Sequence, residues 1–191
     1  MGNLISLDFT ITQNIYYFVG RWPGLLFLAK LLAVWLVYLV PLTLILLWFY
    51  PGQNNKKNAL QAFLMAVFSW FVLASFFSFW LPRSRPDLPG VGVFDPLFHR
   101  PSTAFPSEHS IVLFSLAFYF FLVKYKKLGW LFLLAAIFVG LSRIAVGLHY
   151  FADVAIAIPL GLFAAVLFWL LGDLLNRLLS PIIKLAIKLK L

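Results

Sequence analysis

Five apolar runs, at residues 24–50, 59–81, 107–123, 128–148 and 151–171, leave this chain little choice of solvent. A helix rises about 1.5 Å per residue, so roughly 20 apolar residues cross the ~30 Å hydrocarbon layer of a bilayer. Inside that layer every backbone N–H and C=O must be bonded within the protein, and runs of this length achieve that as helices. Composition agrees, with 63% hydrophobic and 11% charged residues, against about a quarter charged in a soluble domain. The fold class expected is therefore an all-α integral membrane protein with five spanning helices. The absence of an internal repeat points to a single domain over residues 1–191. The first run holds Pro41, where a kink or tilt is expected.

The segments outside these runs read differently. Residues 1–22 are interrupted by Asn3, Asp8, Thr10, Gln13 and Asn14 and carry Tyr16, Tyr17 and Trp22 near their end, which predicts an interfacial helix. No basic stretch precedes the first run and no small-residue cleavage site follows it, so no removed signal peptide is expected. Residues 51–58, rich in Asn, Lys, Gly and Pro, predict a turn. Residues 82–106 contain Pro82, Pro86, Pro89, Pro96, Pro101 and Pro106, a density that forbids regular helix and makes this the one long loop. At residues 174–191, Arg177, Lys184 and Lys188 fall seven and four apart on one helical face, predicting an amphipathic tail helix bent at Pro181.

Charge gives the orientation. Counted through five spans, Lys56, Lys57, Lys124, Lys126, Lys127, Arg177, Lys184, Lys188 and Lys190 share one side, while Arg21, Lys30, Arg83, Arg85, Arg100 and Arg143 lie toward the other. The first side is expected to be cytoplasmic. The net charge of +9 sits at span ends instead of along a stripe or arm, so anionic membrane lipids, and no nucleic acid, are the expected partners. The oligomeric state is open. With no cysteine, disulfides and thiolate metal sites are excluded.

Polar residues cluster on the extracytoplasmic side. Residues 142–153 set Ser142, Arg143, His149 and Asp153 into otherwise apolar sequence, where each ionisable group costs about 2.5–3.5 kcal/mol even on lenient insertion scales. His149 and Asp153 are one helical turn apart, so the carboxylate can orient the imidazole. Arg143 offers a charged fork suited to phosphate or carboxylate. On their own these residues equally suit an Arg–Asp pair joining two helices. Two further stretches fall on the same side: Arg83-Ser84-Arg85-Pro86, and Phe105-Pro106-Ser107-Glu108-His109. A helix starting near Ser107 presents N–H donors and a positive dipole end to an anion, though Ser107 equally suits a simple N-cap. Glu108 suits a first helical turn on dipole grounds alone. A zinc site from His149, Asp153, His109 and Glu108 is disfavoured by two guanidinium groups beside a dication. No metal and no cofactor is expected.

Together the three stretches resemble the type 2 phosphatidic acid phosphatase superfamily, whose signature is Lys-x(6)-Arg-Pro, then Pro-Ser-Gly-His, then Ser-Arg-x(5)-His-x(3)-Asp. The third element matches at Ser142, Arg143, His149 and Asp153; the second reads Pro106-Ser107-Glu108-His109; the first supplies Arg85-Pro86, with Ser78 where the family lysine would fall. The resemblance implies that His149 attacks phosphorus to form a phosphohistidine, Asp153 stabilises its charge, and His109 protonates the leaving oxygen and later helps activate water. Arg85, Arg143, Ser107 and Ser142 would cradle the phosphate beside Pro106 and Glu108. Arg83 is the candidate to replace the missing lysine's charge, unless the site tolerates its absence; Lys30 is expected to snorkel to the interface, and His99 and Arg100 to be solvated loop residues, with contact to a second phosphate as the alternative. The acid at Glu108 looks like the undecaprenyl diphosphate phosphatase branch of the bacitracin-resistance type, whose motif reads Pro-Ser-Asp-His. That implies a polyprenyl diphosphate substrate and a place in recycling the cell-wall lipid carrier. A glycerol-based lipid phosphate, such as phosphatidic acid or phosphatidylglycerophosphate, is the alternative substrate. A non-catalytic lipid-phosphate binder or transporter is the rival outside the enzyme class.

Overall fold

The computed structural model describes residues 2–88 and 103–189; His99, Arg100, Lys190 and the loop residues Pro89, Gly90, Gly92, Pro96 and Pro101 lie outside the described residues. Among the described residues all regular structure is helical. Helix α1 is Gly2–Gly20, α2 Pro23–Phe49, α3 Gln53–Trp80, α4 Glu108–Leu122, α5 Lys126–Ala145, α6 Phe151–Leu170 and α7 Gly172–Lys188. Four of them, α2, α3, α5 and α6, are long and apolar enough to cross a membrane, while α4 is apolar but has 15 residues.

Local chemistry explains where the boundaries differ from expectation. The turn expected over residues 51–58 shrinks to Pro51 and Gly52, because Gly52 takes a positive φ of 123° and α3 starts at Gln53. The side-chain amide of Asn55 donates to Pro51 O at 2.7 Å, and Lys56 Nζ reaches the Trp48 carbonyl at 2.8 Å, satisfying an end of α2. Pro41 acts one turn upstream of itself: it lacks the N–H that would bond Val37, and residues Leu36–Tyr38 tighten into a 3₁₀ turn within α2. Helix α7 runs through Pro181 without interruption.

Helix α4 is the centre of the bundle. Its buried residues extend from Glu108 to Phe120 and are covered chiefly by α5 and α6, with α3 behind. Hydrophobicity does not drive association between helices in lipid, so close backbone approach through small residues must. The faces turned to α4 carry Ala135, Ala136 and Gly140 on α5, and Ala157, Gly161, Ala164 and Ala165 on α6, all buried. Phe120 and Phe132 stack at 5.6 Å between α4 and α5. In mid-bundle Ser69 of α3 bonds Ser115 of α4 at 3.2 Å. At one end Tyr119 Oη donates to Gln61 Oε1 at 2.8 Å, and Gln61 Nε2 to Asn176 Oδ1 at 2.9 Å, tying α4, α3 and α7 together. The outward faces carry Phe71, Phe79, Trp80, Phe138, Phe163 and Trp169, all exposed as lipid contact requires.

Gly161 is a junction where backbone blocks a side chain, since a Cβ there would stand 2.8 Å from Phe114 Cβ and 2.8 Å from the Ser115 backbone nitrogen. Gly161→Ala should therefore lower stability by about 1–3 kcal/mol, as overpacking does. Gly20→Ala, with nothing within 4 Å of the added carbon, serves as the control. Thermal unfolding of both variants in one detergent is the measurement, and equal melting temperatures would refute this account of the α4–α6 contact.

Candidate active site

The ends of α3, α4, α5 and α6 that lie away from the Tyr119–Gln61 network converge, and hydrogen bonds hold them there. Helix α5 ends at Ala145, and Gly147, with φ of 78°, turns the chain so that Leu148 N still bonds Arg143 O at 3.0 Å. A side chain at Gly147 would press on the Tyr16 ring of α1. The turn delivers His149, 3% exposed, to the space between α4 and α5, and α6 begins two residues later. The segment after α3 is tied to the one before α4 by Ala104 N to Arg83 O at 2.7 Å, and α4 to α6 by Ser107 N to Asp153 O at 3.0 Å.

His149 has a defined tautomer. Its Nδ1 lies 2.7 Å from the Ala104 carbonyl and 3.7 Å from Asp153 Oδ2, so the carbonyl accepts the N–H and the carboxylate acts on the ring through its charge. Nε2 is then left as the nitrogen with a lone pair. Burial pushes the imidazole below its ordinary pKa, the nearby Asp153 carboxylate opposes this, and Arg143 and Arg85 add to it. Near neutral pH the ring is uncharged.

Arg143 is 1% exposed. Its Nη2 donates to Ala33 O of α2 at 3.1 Å, while Nε and Nη1 are buried without a partner. Buried donors left unpaired cost about 1–3 kcal/mol each, and native proteins rarely leave them so without a function. Arg85 and Glu108 both lie within electrostatic reach of Arg143, and Arg85 Nη1 donates to Leu148 O at 2.6 Å. Ser107 sits at the N-cap position, but its hydroxyl contacts Ser110 Oγ at 2.8 Å and makes no cap bond. The hydroxyl therefore leaves the α4 N-terminus uncapped, the arrangement that suits an anion. His109, 2% exposed, packs its ring 4.9 Å from that of Trp70. The π-helical stretch Phe68–Ala74 in α3 carries that tryptophan, and such bulges commonly re-aim side chains at functional sites.

Two expected residues, Ser142 and Arg83, and Ser78 at the place of the family lysine have partners within the protein. Ser142 bonds back to Val139 O at 2.8 Å within α5. Arg83 is engaged within the protein: its Nη1 bonds Asp153 Oδ1 at 3.0 Å, its Nη2 bonds Asp8 Oδ2 at 2.6 Å, and its guanidinium stacks 3.6 Å over the Tyr150 ring. Ser78 donates to Phe105 O at 2.8 Å, holding the strand of chain that leads through the cis Phe105–Pro106 peptide into α4. Sequence reasoning missed Trp70, the Ala104 carbonyl and the α1 residues Asp8 and Thr12. For the last two the spacing of Asp8, Thr12 and Tyr16, each four apart, was the available signal.

Beside the site a groove of about 370 Å³ opens between α2 and α3, lined by Val34, Val37, Pro41, Phe71 and Val112, with His109 at its polar end. An apolar groove that ends at His109 in a membrane-embedded helical bundle suits a ligand with a lipid tail. Residues 56–177 match the PAP2 superfamily, and the chain belongs to that family of lipid phosphatases. It is 36% identical over 142 residues to the bacitracin transport permease protein BcrC of Bacillus licheniformis, covering 72% of this chain and 68% of that one. It is 25% identical over 149 residues to the undecaprenyl-diphosphatase BcrC of Bacillus subtilis, covering 75% and 72%. The crystal structure of a PAP2-type phosphatidylglycerolphosphate phosphatase from Bacillus subtilis superposes with a TM-score of 0.64 at 26% identity, over 88% of this chain and 85% of that one.

The lowered His149 pKa carries a sign. Activity should persist above the folded-state pKa and fall as pH drops through it, so the acid limb of kcat/KM should lie below ~6.5, the ordinary imidazole value. Asp153→Asn removes the groups that raise this pKa, and should both slow phosphate release and move the limb to still lower pH. A limb that moves upward in that variant would contradict the arrangement.

Proposed function

We propose that the protein converts undecaprenyl diphosphate to undecaprenyl phosphate, with His149 forming a phosphohistidine. The observation that carries this reading is a neutral imidazole with Nδ1 held by the Ala104 carbonyl, beside an arginine with two buried, unpaired donors. The terminal phosphate sits between Arg143, Arg85 and the α4 N-terminus, an array of forks and N–H groups matched to its oxygens. His149 Nε2 attacks phosphorus as the bond to the bridging oxygen breaks. His109 supplies the proton to that oxygen, and lipid monophosphate leaves along the groove. A water, its proton taken by His109, then attacks the phosphorus, releasing inorganic phosphate and restoring the imidazole. Asp153 stabilises the positive charge that the ring carries between the two steps.

Choice of lipid rests on the acid at Glu108 and on the names of the two BcrC relatives. The solved phosphatidylglycerolphosphate phosphatase supports the second reading, a glycerol-based lipid phosphate. For disposition we infer five spans in one domain. Helix α4, about 22 Å long at 1.5 Å per residue, crosses because its neighbours shield it. The site faces the extracytoplasmic side of the cell membrane, and α7 lies on the cytoplasmic surface.

Release of phosphate by purified protein in detergent, from polyprenyl diphosphate and from phosphatidic acid, tests the substrate; a clear preference for the second overturns it and leaves the chemistry standing. Activity should survive excess EDTA. Loss on chelation, restored by zinc, would replace the phosphohistidine scheme. The two histidines separate by leaving group: an activated aryl phosphate should rescue His109→Ala by tenfold or more, about 1.4 kcal/mol of barrier, and His149→Ala hardly at all. Equal responses would mean that the roles are wrongly assigned. Binding of lipid without turnover in the wild type would favour a transporter or binder instead.

A further inference from the structure

Helix α1 touches the site although no motif residue lies on it. Asp8, Thr12 and Tyr16 form one face, at 8%, 0% and 3% exposure. Asp8 Oδ1 accepts from Ala152 N at 2.8 Å, and Thr12 Oγ1 accepts from Phe151 N at 3.0 Å while donating to Asp8 O at 2.7 Å. These are the first N–H groups of α6, which a helix cannot satisfy for itself. Asp8 Oδ2 meanwhile binds Arg83 Nη2, whose other nitrogen holds Asp153 Oδ1. Asp153 Oδ2 accepts from Tyr150 N at 2.8 Å and faces His149 at 3.7 Å. An unbroken chain of charges therefore runs from α1 to the imidazole.

We propose that Asp8 is a positioning residue for the reaction: through Arg83 it sets the orientation and effective charge of Asp153, and so the imidazole of His149. The proposal rests on the reading of His149 as nucleophile. Arg83 between two carboxylates is balanced, which leaves Asp153 the charge it needs to support a cationic ring. Without Asp8 the whole guanidinium charge falls on Asp153, and the ring loses support as it becomes cationic. The charged groups around His149 are Asp153 from α6, Arg143 from α5 and Arg85 from the segment after α3. Glu108 of α4 lies beside Arg143. None of these stands between Asp8 and Asp153, whereas Arg83 touches both.

Asp8→Asn keeps an oxygen for Ala152 N but turns an NH₂ toward Arg83, so it separates docking from charge. It should lower kcat about 10- to 100-fold, the range seen when outer partners of functional histidines are removed, with KM within about twofold. Asp8→Glu should recover much of the loss. In an Asp153→Asn background the same change should cost little, because the two residues act on one path. Thr12→Val removes a docking bond without touching Arg83 and should lower the melting temperature more than it lowers kcat. An independent readout comes from ¹⁵N-histidine NMR of the full chain in detergent, where only three histidines give signals: Asp8→Asn should lower the His149 titration midpoint and populate the second tautomer. If Asp8→Asn lowers melting temperature and kcat together, adds fully to Asp153→Asn and leaves the His149 signals unchanged, Asp8 is structural only and the proposal falls. If the wild type releases no phosphate from any lipid, the reading of the function falls instead, and the His149 signals alone decide for or against Asp8.

Discussion

Asp153 is fully buried beside hydrocarbon-facing helices, and a carboxylate so placed persists only if donors and counter-charge surround it. Arg83, from the segment after α3, and the Tyr150 N–H, from the turn after α5, supply them, with the edge of His149 3.7 Å away. Satisfying this one group therefore brings together the segment after α3, the turn after α5 and the start of α6, and through Arg83 the N-terminal helix. The backbone of the same residue accepts from Ser107, which sets the start of α4 against the same point. In a protein whose solvent offers no hydrogen bonds, a polar residue cannot be partly accommodated, so such a network fixes geometry as well as contributing energy.

The rest of the bundle makes that geometry rigid. α4 carries large side chains on every face and is received by small residues on α5 and α6, so its axis cannot slide without driving Phe114 into Gly161. Polar bonds at the far end, from Tyr119 and Gln61 to α7, close the other terminus of the same helix. Ser107, Glu108 and His109 are thus held at the tip of an anchored helix, the precise placement that the roles proposed for them require.

Three arginines near the site divide the work by their surroundings. Arg143 is sealed inside with two donors unpaired, a preorganised demand for an anion. Arg85 braces the Leu148 carbonyl next to the imidazole. Arg83 is consumed by two carboxylates and an aromatic face. Ser78, at the place of the family's lysine, is bonded to the Phe105 carbonyl.

Much of this was readable from the chain. Apolar run length determined that the structure is helical and membrane-embedded, because backbone hydrogen bonding in hydrocarbon allows little else, and boundaries fell within a few residues except at residues 53–58, where a polar helix start looks like a turn. The spacing of Arg143, His149 and Asp153 marked the candidate site, since ionisable residues are rare enough in such sequence for each to be informative. Four-residue spacing placed His149 near Asp153, yet the partner of Nδ1 proved to be the Ala104 carbonyl, a backbone group that has no signature in sequence. The destinations of Arg83, Ser78 and Ser142 were equally hidden: each side chain suits a phosphate, a carboxylate or a carbonyl, and only its neighbours choose. Asp8 and Thr12 read as interruptions in an interfacial helix because their partners are the N–H groups of residues 151 and 152, more than a hundred positions away. Residue types and local periodicity determined the solvent, the helices and the chemistry at hand; which donor meets which acceptor depends on contacts between distant segments, and that was decided only by the packing of the folded chain.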